Sequence, residues 1–232
     1  RDVYKRQLTA YAYNIEYLFI PISQGPATHP LTAVMLACLG LGMFLSRPHK
    51  YRLLASAFAL LGLVIGLLRL LELSASIAIL DAITPYAGLL NELASQGRPI
   101  LMGGNTASFG ALIGVALLCG QFNQPLIRQR LAYIAMLIPA VGMVGLAYGI
   151  TPFYGQMALP TIVMSGVLSG AVLLSSAHHG ILRMILGPWM SGTLARLQIF
   201  QACIVPFASG YFLLFVVETH SLDGMGLLVV LM

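Results

Sequence analysis

The chain has 232 residues, of which 59% are hydrophobic and only 8% charged, and its mean hydropathy is +0.89. A soluble domain is about one quarter charged, and one of this composition would have no means of covering its apolar surface, so the figures exclude a water-soluble globule and point to an all-α, polytopic transmembrane bundle. The net charge of +5 sits in short loops rather than on one basic face, which argues against a nucleic-acid partner; the alternating segments of a membrane β-barrel are absent.

In chain order, residues 1–7, RDVYKRQ, lack an initiating Met, differ in character from the rest of the chain and read as a non-native leader. Residues 8–232 read as one transmembrane domain of about seven or eight spans. Residues 8–20 are the end of a first span, with Glu16 inside it. An uncharged loop leads to an apolar run over 31–45, a basic turn SRPHKYR, and a second run over 53–71. Residues 74–104 are the longest interruption, in which ITPYAGLLNEL has the pattern of a short amphipathic helix lying on the membrane. Further runs cover 106–119 and 131–150, around a turn holding Arg128 and Arg130. The uncharged link TPFYGQMAL leads to 161–177, then to a long turn whose Trp189 marks an interfacial segment. Residues 197–217 span again, and a last helix over 224–232 is cut short, so the chain reads as a fragment at both ends.

These runs fall into three parallel helical hairpins, 29–72, 103–151 and 158–218. Thr32, Thr106 and Thr161 coincide near the start of the first helices, each suited to cap free amides there. Eight residues on stand Gly40, Gly114 and Ser169, with Gly110 and Ser165 half-way, forming a notch that admits a neighbouring backbone. The second helices align from Arg52, Arg130 and Arg196, with Gly62, Pro139 and Pro206 and then Gly66, Gly142 and Gly210 predicting kinks. The first helices, at about 16 residues, are short for a bilayer of about 30 Å. Either they borrow apolar loop residues, or they sit centrally while the second helices face lipid.

Charge sets the orientation. The turns inside the hairpins hold Arg47, Lys50, Arg52, Arg128, Arg130, Arg183 and Arg196; the links between hairpins hold Glu72, Asp81, Glu92, Glu218 and Asp223 with Arg98. The positive-inside rule therefore makes the turns cytoplasmic and directs the threonine ends outward.

Ionisable residues inside a membrane are functional candidates, which singles out Glu16 and the pair Arg69 and Glu72, three apart on one helix face. Asn14, Gln198 and Gln201 are suited to helix–helix hydrogen bonds. His178 and His179 are adjacent in a turn, Cys38, Cys119 and Cys203 are isolated, and there is no P-loop, HExxH or Ser-His-Asp set. No catalytic residue, metal or cofactor is expected.

The segments GGNTASFGALIGVALL, FYGQMALPTIVMSGVLSGAVLLSS and SGTLARLQIFQACIVPFASGYFL resemble the N-terminal multi-helix membrane sensor region of bacterial histidine kinases and GGDEF-type diguanylate cyclases. Asn105, Thr106 and Ala107 match that family's N-T-A start. Pro160 stands where it usually has His, and Ser191 replaces the first Gly of its G-G-x-L-A-R motif. The resemblance implies a sensor that passes a stimulus through its last helix to a cytoplasmic output module in the same chain, acting as a homodimer. Thr32, Gly40, Thr106, Gly110, Gly114, Pro139, Thr161, Ser169, Pro206 and Gly210 are then the packing positions through which a signal would pass. The alternatives are a small-solute transporter or channel, since repeated hairpins also build carriers, and a structural membrane subunit.

Overall fold

A computed structural model describes residues 28–46, 49–75, 80, 84 and 101–220. The leader, the span at 8–20 with Asn14 and Glu16, nearly all of the 76–100 link and the helix at 224–232 lie outside them. The described residues form helices and loops, with no strand among them. In order these are α1 (Pro30–Leu45), a 3-10 turn (His49–Tyr51), α2 (Arg52–Ala75), α3 (Gly104–Gln121), α4 (Pro125–Ala147), α5 (Thr151–Tyr154), α6 (Leu159–Ser175), α7 (Gly180–Leu186) and α8 (Met190–His220). The chain divides into two compact units, Arg1–Gly180 and Ile181–Met232.

Among the described residues two helices, α2 and α4, are long and apolar enough to cross a membrane, with a third crossing if α6 and α7 count as one broken span. In the first unit α1 packs on α2, α2 on α3, α3 on α4, and α4 on α6. The short helices are the central ones. Ten of the 16 residues of α1 are buried, against six of the 24 in α2 and six of the 23 in α4. Burial agrees with the central position in the second of the two expectations: α1 lies among α2, α3 and α6.

The longer helices turn small residues inward and large ones outward. In α2 the buried positions include Ala55, Ala59, Gly62 and Gly66, and in α4 Ala132, Ala135, Pro139, Gly142 and Gly145. These recur every three or four residues and so form one stripe along each helix. Their opposite faces expose Leu53, Leu60, Leu67, Leu71, Ile134 and Leu137. A soluble helix buries its large apolar side chains, but between helices in lipid the gain comes from close packing, which small residues permit.

That approach is closest between α2 and α3. A methyl added at Gly66 would lie 2.8 Å from the Ala107 carbonyl oxygen and 2.9 Å from the Ala111 amide nitrogen. One at Gly114 would lie 2.7 Å from Cβ of Leu63, and one at Gly110 would collide with the Met35 sulfur from α1. At Gly42 it would stand 3.2 Å from the backbone at Ala55 and Ala59. Both α2 and α4 run unbroken through their Gly and Pro positions.

The three aligned threonines are not caps. The cap positions are His29, Gly103 and Ala158, each extended at φ −66 to −70°, and each Thr is the third residue inside its helix. Pro30 and Pro160 occupy the first turns of α1 and α6, where a ring without an N–H leaves one fewer amide to cap. Thr32, Thr106 and Thr161 are instead buried. In the second unit α8 begins at Met190, six residues before the expected Arg196, and Arg196 Nη1 donates to the carbonyls of Ile185 (2.9 Å) and Gly187 (3.3 Å) at the end of α7. Trp189, in the short connection between α7 and α8, is 76% exposed.

Replacing Gly66 by Val is expected to lower the unfolding midpoint in detergent, at a cost of about 1–3 kcal/mol, because the opposing atoms are backbone and have little room to yield. Gly166→Ala and Gly170→Ala in α6, where an added methyl meets nothing within 4 Å, should leave the midpoint unchanged or raise it by up to about 1 kcal/mol each.

Candidate functional site

The strongest concentration of polar chemistry lies where α1 begins and α2 ends. Arg69 and Glu72 are one turn apart on α2, and Arg69 Nη1 donates to Glu72 Oε2 at 2.8 Å. Their side chains are 15% and 3% exposed, so the pair is largely shielded from water. Each charge also holds backbone from another segment. Arg69 Nε donates to the Met102 carbonyl at 2.8 Å, two residues ahead of α3, and Glu72 Oε1 accepts from the Leu80 amide. Such extra partners are what a shielded ion pair requires, since attraction alone seldom offsets the loss of hydration.

His29 joins this cluster from α1. Its Nδ1 accepts from the Leu31 amide at 3.2 Å and so caps the helix, a task for which that nitrogen must be unprotonated. The ring stands outside the helical segment, and its pKa is lowered to about 4, first by burial and then by the nearby Arg69 charge, with Glu72 acting in the opposite sense. His29, Arg69, Leu80 and Met102 surround a cavity of about 10 Å³, room for about one water and not for an organic ligand. The arrangement is therefore suited to fastening three chain segments together.

Of the residues singled out from the sequence, Arg69 and Glu72 are paired as their spacing predicts, whereas Glu16 lies outside the described residues. Gly110 and Gly114 meet in the seam between α1, α2 and α3. Gly40 is half-buried beside an apolar groove, Pro139 faces inward from α4, and Ser169 is fully buried with an Oγ that has no hydrogen-bond partner. Pro206 and Gly210 are positions of α8, in the second unit. Cys38 and Cys119 are free thiols, and no group of three metal-ligating side chains occurs among the described residues.

Two contributors were not singled out as site residues. His29 joins Arg69 only through the fold, although its place just before Pro30 is that of a cap. Gln129 is 3% exposed, and its Nε2 donates to the His179 carbonyl at 3.0 Å, joining the start of α4 to the turn after α6. The signal for it is the Arg128-Gln129-Arg130 run, where successive residues on a helix point in different directions and one must face inward.

Removing one charge should be worse than removing both. Arg69→Met is expected to cost about 3–5 kcal/mol by leaving the shielded Glu72 carboxylate without its counter-charge, while Arg69→Met with Glu72→Leu recovers much of it, read from unfolding midpoints. For His29, the unfolded chain takes up a proton near pH 6.5 and the folded one only near 4. Stability is thus fully present above about pH 6.5 and falls as the pH drops toward 4, because the unfolded state binds more protons in that window. His29→Asn keeps a capping oxygen without the titration, so its loss of stability between pH 7 and pH 5 should be smaller than that of the original chain.

No protein-family model, curated protein or solved structure gives a significant match to this chain.

Proposed function

We propose that the chain is the membrane-embedded sensory region of a bacterial signalling protein, a two-component histidine kinase or a diguanylate cyclase. In this reading about seven or eight spans, arranged as three parallel hairpins, sit in the cytoplasmic membrane with the basic turns inside and the threonine-bearing helix starts outside. A stimulus alters helix packing, and the last helix carries the displacement to a cytoplasmic output module of the same chain, working as a homodimer. No catalytic step is assigned to these residues.

The observation that carries the reading is the glycine seam. Gly66 lies against the backbone of α3, Leu63 lies over Gly114, and Met35 lies over Gly110. With no slack between backbones, a shift of one helix must move its neighbours or break the contact, which is how small changes become discrete ones in packed helices. The like conformation of the three helix starts at His29, Gly103 and Ala158 supports descent from one repeated unit.

Two measurements test the proposal. A cysteine placed at Lys50, which is exposed, should react with a membrane-impermeant thiol reagent only after the cells are opened; labelling of intact cells would overturn the orientation. In the protein with its output module, Pro139→Ala removes the inward ring of α4 without adding bulk and should change basal output or stimulus response by several-fold. Unchanged output from a correctly inserted variant would count against transmission through the bundle.

A further inference from the structure

The opposite end of the first unit holds a second polar site, built around Arg128. There α3 ends at Gln121, a left-handed Asn123 (φ 57°) turns the chain, and α4 starts at Pro125. Gly120, Asn123, Arg128, Ser175, Ser176 and His179 border a cavity of about 280 Å³. Gly120 makes room for the guanidinium: a methyl there would lie 2.8 Å from Arg128 Nη1.

Arg128 is short of partners. Its Nε is closed off from solvent and makes no hydrogen bond, and its Nη2 donates only to the Met43 sulfur, at 3.2 Å. A thioether is a weak acceptor, and a shielded cation ordinarily has a counter-ion. The described residues of the first unit offer none nearby: no Asp or Glu occurs between Glu92 and Glu218. Glu72 lies about 30 Å along α2 from Arg52, and Arg52 is the residue whose guanidinium donates to the Gln121 carbonyl at this end.

Met43 leads from this site into an apolar one. With Gly40 and Phe44 of α1 and Met164, Val167 and Leu168 of α6 it borders a groove of about 320 Å³. Along α6 the groove-lining Ala171 is followed one turn later by Ser175 and Ser176 of the polar cavity. The Arg128–Met43 contact thus joins a cationic cavity to an apolar groove, an arrangement that suits an amphiphile with an acidic head.

We infer that this site binds an anionic phospholipid, with its phosphate at Arg128 and an acyl chain along the groove between α1 and α6. Basic pockets between spans at a cytoplasmic membrane face are suited to such head groups. The N-terminus of α4 borders the cavity at Pro125, but the C-terminal ends of α3 and α6 border it at Gly120 and Ser175, so the helix dipoles give no net attraction and the anion depends on Arg128. The inference requires only that the bundle lie in a bilayer and is independent of the signalling role, so either can fail without the other.

The test uses the full chain purified in neutral detergent, with lipid retention followed by native mass spectrometry and stability by thermal unfolding. Phosphatidylglycerol should be retained about tenfold more tightly than phosphatidylcholine with the same acyl chains: both bring a phosphodiester to Arg128, but the choline cation of the second offsets its negative charge beside the guanidinium. Arg128→Gln should abolish that preference, whereas Arg130→Gln, at an exposed position of the same turn, should keep it. Val167→Trp, at a 65% exposed groove position, should weaken retention of both lipids, and it decides the matter alone if Arg128→Gln does not fold. Equal retention of the two lipids, equal loss in Arg128→Gln and Arg130→Gln, or undiminished retention in Val167→Trp would overturn the inference. So would inorganic phosphate or glycerol 3-phosphate stabilising the chain as much as phosphatidylglycerol, which would mean a site for free anions.

Discussion

Close approach of α2 and α3 at Gly66 is the constraint on which the first unit depends. Lipid tails are as apolar as leucine, so helices in a bilayer gain little by hiding leucines from it; what holds them is contact density. Stripes of Ala and Gly along α2 and α4 supply that density by letting backbones meet. The same stripes free the leucines to face outward, and they allow the short α1 and α3 to occupy the middle. One inward methyl group too many, at Gly66 or Gly114, would separate helices that have no other means of attraction over most of their length.

Polar contacts complete the unit at its two ends. Where α1 begins, Arg69 and Glu72 satisfy each other and also hold Met102 and Leu80, so that end is closed in on itself. At the other end Arg52 holds the Gln121 carbonyl and Gln129 the His179 carbonyl, yet Arg128 keeps capacity to spare. The asymmetry arises from where the few carboxylates fall in the sequence. Among the described residues, one end carries its own counter-charge and the other has only cations.

Much of this was legible in the residues. Apolar runs located α1, α3 and α6 to within two residues and α2 to within four, but α4 starts six residues before its expected run and α5 was read as a link; the three-residue spacing of Arg69 and Glu72 was enough to pair them. The shared register of Thr32, Thr106 and Thr161 was legible too, but not its meaning. A hydroxyl near a helix start suits both a cap and a buried third position, and the prolines beside two of them decided the matter. Glycines were harder still. Gly66 and Gly166 look alike in sequence, and only the presence of a neighbouring backbone separates a contact from open space. The start of α8 at Met190 was not legible because Ser191, Gly192 and Thr193 read as loop, although a Ser, Gly or Thr costs a helix start little.

The length of α8 has a mechanical corollary. At 31 residues it measures about 46 Å, whereas the hydrocarbon layer is about 30 Å thick. Even a rod leaning 40° from the normal would need only about 39 Å to traverse that layer. If α8 crosses the bilayer as the proposed function requires, at least one turn stands clear of the oil, a rigid stub along which a twist applied at one end would travel.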